Sequence, residues 1–116
     1  MATRRMMSLN IMDNPPFINC SISARYLYLE ITVRADDDGF FGAASRLIGA
    51  IGCTESDLQE LIDCGLIIRF NSGVLVVRDW LLANKIRKER YTETIFRDEY
   101  SSLEVVNKRY VRKQQT

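Results

Sequence analysis

Between Ser21 and Ala35 the apolar positions Ala24, Leu27, Tyr28, Ile31 and Ala35 fall at i, i+3, i+4, i+7 and i+11. That is the spacing of a helix with one buried face. Ser21 or Ser23 supplies an oxygen for the free amides of its first turn. Asp36-Asp37-Asp38-Gly39 ends it, Gly39 being able to take the left-handed conformation that closes helices. A second apolar repeat follows at Ala44, Leu47, Ile48 and Ile51, within a helix over 43–51 that Gly52 closes. Thr54 to Asp57 then matches the [ST]-x-x-[DE] capping pattern, and Leu58, Leu61 and Ile62 give a third helix its buried side until Gly65. Two helices this short, joined by a tight turn, predict a helix-turn-helix.

At Leu66 the period drops from 3.6 to 2. Leu66–Phe70 and Val74–Arg78 are β-rich runs flanking Asn71-Ser72-Gly73, which predicts a hairpin with glycine in its turn. Trp80, Leu81 and Leu82 follow as a cover for the core. Further on, Phe96, Tyr100, Leu103, Val106 and Tyr110 are spaced 4, 3, 3 and 4 apart, which predicts one more helix with an apolar stripe. The first stretch, polar and carrying Pro15 and Pro16, reads as an extended arm followed by a turn or a short helix. The expected fold is therefore α+β and mainly helical: a winged helix-turn-helix with the hairpin as wing and a C-terminal helical extension. Its parts are an N-terminal arm over 1–20, the winged-helix domain over 21–91 and the extension over 92–116.

Composition changes this picture little. A length of 116 residues suits one domain, and 47% apolar with 27% charged residues is ordinary for a globular protein. No run approaches the roughly 18 apolar residues of a membrane span, and the N-terminus lacks a signal-peptide core, so a cytoplasmic location is expected. The three cysteines, Cys20, Cys53 and Cys64, form no Cys-x-x-Cys pair and read as small core residues. Histidine is absent, which removes the usual general base and the commonest metal ligand. With no nucleophile elbow and no metal-binding spacing, no catalytic residue, cofactor or metal is expected, and an enzyme is the least favoured class. Asp36-Asp37-Asp38-Gly39 lacks the alternating ligands of a calcium loop, and Gly39 to Ala44 lacks the Lys-Ser/Thr of a phosphate loop.

Charge changes it more. The net charge of +1 hides a segregation. Residues 1–34 carry four arginines against two acids, residues 35–84 three against eight, and residues 85–116 nine basic residues against five acids. Nucleic acid should meet the ends of such a chain. The candidate phosphate-binding cluster is Lys85, Arg87, Lys88 and Arg90, with Tyr91 beside it to stack or pack. Arg69 and Arg78 at the wing and Arg46 in the first of the paired helices extend it, and Arg4 and Arg5 read either as a basic arm for a minor groove or as solubilising residues. The second helix of the helix-turn-helix presents Glu55, Ser56, Asp57, Gln59, Glu60 and Asp63, four acids that phosphates would repel. That helix is therefore expected to stay out of the major groove. The stripe Phe96, Tyr100, Leu103, Val106 and Tyr110 is either a face packed back on its own domain or the candidate oligomer or partner face.

The segments RRMMS (4–8), SARYLYLEI (23–31), RADDDGF (34–40), DLQELIDCGLI (57–67), SGVLVVRDW (72–80) and NKIRKERYTETIF (84–96) together resemble a known family. It is the N-terminal domain of the replisome organisers, replication proteins of phages and prophages of Gram-positive bacteria related to the DnaD-type primosome proteins. The resemblance covers most of residues 4–96 and rests on the combination of motifs. It implies a winged-helix module, in the cytoplasm of the bacterial host, that binds origin DNA and self-associates while helicase-loading or other replisome proteins are recruited. Members of the family continue into a second region that handles helicase loading or single-stranded DNA, whereas this sequence stops at Thr116. Two other readings stand beside it: a protein-interaction winged helix that scaffolds or modulates the replisome without touching DNA, and a transcriptional regulator.

Overall fold

The computed structural model describes residues 4–113. Two single-turn helices, α1 (Leu9–Met12) and α2 (Pro15–Ile18), open the chain, α1 capped by the Ser8 side chain and α2 started by its prolines. Proline is well placed there, because a first-turn amide has no partner within the helix. The long helix α3 (Ile22–Arg34) is capped by Ser21, whose hydroxyl accepts from the Ala24 amide, and it buries Ala24, Leu27, Tyr28 and Ile31. After β1 (Phe40–Phe41) come α4 (Ala44–Ile51), closed by Gly52 at φ 78°, and α5 (Glu55–Asp63). Helix α5 begins with a complete capping box: Thr54 accepts from the Asp57 amide, and the Asp57 carboxylate accepts from the Thr54 amide. The strands β2 (Ile67–Arg69) and β3 (Leu75–Val77) form the expected hairpin.

β1 adds a strand that hydrophobic periodicity does not reveal, since two residues are too few to alternate. Phe40 pairs with Val76 and Phe41 with Leu75, giving an antiparallel sheet of order β1-β3-β2. Gly39 serves this strand rather than the helix. Helix α3 already ends at Ala35 in extended backbone, and the φ of 91° at Gly39 turns the chain into β1. A side chain there would also meet the Trp80 ring, with a Cβ only 2.6 Å from its Cγ.

Beyond the short α6 (Trp80–Ala83) the structure departs from the sequence expectation. Among the described residues from 92 onward only α7 (Arg97–Ser101) is helical, and residues 103–112 form a second hairpin of β4 (Leu103–Val106) and β5 (Arg109–Arg112). The C-terminal helical extension is thus replaced by one short helix and a hairpin. Asn107 and Lys108, at φ 53° and 64°, make the two-residue turn, and paired left-handed residues suit the twist of such hairpins. The β-branched Val105, Val106 and Val111 favour strands as well.

The whole is α+β and mainly helical, with two small antiparallel sheets. One core runs through all three sequence-defined parts. It joins Ile11, Phe17 and Cys20 from the first stretch to Leu27, Tyr28, Leu58, Leu61, Leu75 and Trp80, and to Leu103 and Tyr110 from the last. Phe17 packs edge-on to Tyr28, and Phe40 sits among Phe70, Phe96, Tyr100 and Tyr110. Burying each such side chain contributes roughly 1.5–3 kcal/mol relative to exposure.

Candidate nucleic-acid interface

Asn84, Asp36, Asp37 and Asp38 decide where the basic segment lies. Asn84 is buried just past α6; its Nδ2 reaches the carbonyl oxygens of Met6 and Trp80, and its Oδ1 accepts from the Met6 amide at 2.8 Å. Seven residues on, the Tyr91 hydroxyl donates to the Asp38 carboxylate at 2.8 Å. The Thr92 and Thr94 amides donate to Asp37 and Asp38, and the Thr94 hydroxyl donates to Asp36. Lys85, Arg87, Lys88 and Arg90 are exposed on the span between these anchors, which bends through a 3-10 turn at Lys88–Arg90. Among the described residues, none of the four is in an ion pair.

The three aspartates therefore fasten a cationic loop from beneath. Asp36 also accepts from the Asp38 and Phe40 amides, which shapes the turn, and the Trp80 indole donates to the Asp37 carbonyl at 3.0 Å. Tyr91 keeps 40% of its surface exposed beside the cations. Partial burial first, and then the Asp38 carboxylate, pushes its phenol above the usual tyrosine range.

The sequence-predicted cations separate into distinct places. Arg4 lines a hollow of about 400 Å³ with Lys85, Arg87 and Arg90. Arg5 does not join it. Its guanidinium donates to the Ala35 carbonyl and to Asp37 at 3.1 Å, lies over the Trp80 ring, and has a side chain only 2% exposed. The expected basic arm is in this half a buried brace, because the Asp37 carboxylate, wholly buried, needs a cation beside it. Arg46 and Arg69 meet in a second hollow of about 440 Å³, between the start of α4 and the hairpin tip, with Ser45, Ser72 and Gly73. Arg69 also lies 3.6 Å from Glu55, both side chains largely exposed. Arg112 reaches the same neighbourhood, donating to the Arg69 carbonyl and lying over the Phe70 ring. A C-terminal helix would give no reason to bring Arg112 to the β2–β3 hairpin, and so its place here is not legible in the sequence. Arg78 points elsewhere: it pairs with Asp79, and beside Leu66 and Arg109 it lines a separate cleft.

Helix α5 keeps Glu55, Ser56, Gln59 and Asp63 outward. Asp57 and Glu60, expected on that surface, turn toward α3 instead. The Ser23 hydroxyl first, and then the Thr54 amide, hold the Asp57 carboxyl below its usual range. Of the candidate oligomer face, Phe96, Tyr100, Leu103 and Tyr110 pack into the protein, and Val106 alone is exposed. The hairpin causes this, docking β5 on the Arg78 carbonyl through the Tyr110 amide and on Asp79 through Arg109.

No protein-family model matches the chain, and neither does any curated protein or solved structure. Among the described residues no helix is long and apolar enough to cross a membrane.

Proposed function

We propose that this chain is a winged-helix, DNA-binding module of a phage or prophage replication-initiation protein, acting in the cytoplasm of the bacterial host. It is a binding domain, not an enzyme. The winged-helix reading is supported by the order α3-β1-α4-α5-β2-β3 and by the sheet order β1-β3-β2, in which the strand after α3 joins the hairpin read as the wing. DNA binding rests above all on one observation: four exposed cations, with no ion-pair partner among the described residues, held between fixed anchors at Asn84 and Tyr91. Cations already free of carboxylates have no ion pair to break when a phosphate arrives, and each one that engages releases condensed counterions from the duplex.

The contact proposed is with the backbone. The outward acids of α5 oppose a base-reading role for that helix. Arg46, Arg69 and Arg112 give the wing a second, smaller cationic patch. Self-association and recruitment of helicase-loading proteins remain in the proposal on the family resemblance alone, since four of the five residues expected to mediate self-association are committed to the core.

Fluorescence anisotropy with labelled duplex and single strand tests this reading. Lys88→Ala with Arg90→Ala should weaken binding at low salt and lower the slope of log K against log salt by about two, roughly one per lost contact. An unchanged isotherm from the folded double variant would reject the assignment. The second reading, a protein-interaction winged helix, is favoured by Glu55, Gln59 and Asp63 on α5. It becomes the better account if neither nucleic acid binds at low salt.

A further inference from the structure

We propose that Cys20 and Cys64 form a vicinal thiol pair that a small-molecule disulfide converts into an intrachain disulfide. The two cysteines are 44 positions apart in sequence, yet their sulfurs stand 3.7 Å apart. Cys20 lies between α2 and the Ser21 cap of α3, and Cys64 is the C-cap of α5. Both are free thiols. A disulfide needs its sulfurs about 2 Å apart, so side-chain rotation has less than a further 2 Å to supply.

The surroundings give a reagent access. The pair borders an open cleft of about 420 Å³ walled by Pro15, Pro16, Asn19, Glu60 and Asp63. Cys20 is the buried member and Cys64 the half-buried one. Burial first, and then the neighbouring Cys64, push the Cys20 thiol up to about 12, so it is a poor first nucleophile. Cys53 is the internal control: its sulfur contacts Ser23 and no other thiol.

The sequence of steps follows from that asymmetry. The Cys64 thiolate attacks one sulfur of a low-molecular-weight disulfide such as oxidised glutathione. The S–S bond of the reagent breaks, and one glutathione leaves as thiolate and takes up a proton. The Cys20 sulfur, turned away from the Pro16 carbonyl that it contacts in the thiol form, then attacks Cys64 Sγ and gives up its proton to solvent. The second glutathione departs. Two protein thiols have been oxidised and one reagent disulfide reduced to two thiols. The product ties the α2–α3 junction to the end of α5, the helix that leads into the wing.

The test uses the whole chain, folded, with oxidised glutathione, followed by intact mass and peptide mapping. The expected product is a Cys20–Cys64 cross-link with the loss of two hydrogens, reversed by dithiothreitol, while Cys53 reacts more slowly. In Cys20→Ser the glutathione adduct on Cys64 should persist, because nothing resolves it; in Cys53→Ser the cross-link should form as before. A lasting adduct on Cys64 in the unaltered protein would overturn the proposal. So would reaction at Cys53 alone, or no reaction in the folded state. The mapping of the unaltered chain decides the matter even if a variant fails to fold.

Discussion

Single side chains tie the outer described segments to the middle of the chain, and removing one of them should cost far more than removing an exposed charge. Arg5 braces the buried Asp37 and the Ala35 carbonyl. Arg5→Ala leaves a buried carboxylate without its cation and should destabilise by about 3 kcal/mol, read from urea unfolding. A basic arm would behave oppositely, losing DNA affinity and no stability. Gly39→Ala combines a φ of 91° with a Cβ placed 2.6 Å from the Trp80 ring. Backbone strain and overpacking together should cost roughly 2–4 kcal/mol, and a variant of unchanged stability would show that the Gly39–Trp80 approach is not as close as described. Buried phenols add a pH dependence. Burial raises Tyr28 and Tyr110 above the ordinary tyrosine range, and burial with Asp38 raises Tyr91. The fold favours the neutral phenols, so their contribution is fully present below the unfolded value of 10.0 and is lost as pH rises beyond it. Unfolding midpoints should fall from about pH 9 to about pH 11, and less steeply in Tyr91→Phe.

At the level of elements, legibility in the sequence followed the length and regularity of each pattern. Helix α3, the α4–α5 pair, the Thr54 capping box and the β2–β3 hairpin all carry local signals strong enough to survive packing, and each stands where its signal lies. The capping box makes a modest prediction: Thr54→Ala should cost about 1 kcal/mol. Two elements were hidden for opposite reasons. β1 is too short for a period, and its partner β3 supplies its definition. The C-terminal hairpin was masked by a misleading period, since aromatic and aliphatic residues spaced 4, 3, 3 and 4 satisfy a helical stripe while Leu103 and Tyr110 in fact enter the core from opposite strands. Asn107 and Lys108 were the discriminating signal, a polar pair between β-branched residues. Lys108→Gly should relieve the left-handed backbone and stabilise the hairpin by about 1 kcal/mol; destabilisation would contradict that turn. The same misreading hid Arg112 from the candidate site and offered core aromatics as an oligomer face.

For the molecule as a whole, the acidic middle of the chain and its basic ends are not separate territories. Asp36, Asp37 and Asp38 spend their charge internally, on Arg5, on amides and on hydroxyls, and so pin the basic span to the fold. The sequence showed the cations as a cluster but not that they divide among the loop, the β2–β3 hairpin and the Arg78 cleft, because that division depends on contacts between distant segments. The most direct test of the DNA-binding account is anisotropy of a labelled duplex titrated with the whole chain from about 50 to about 200 mM salt. The account predicts binding whose affinity falls steeply with salt, with a slope that diminishes when Lys88 and Arg90 are replaced by alanine. Absence of binding at the lowest salt, or a slope that the double replacement leaves unchanged, would contradict it.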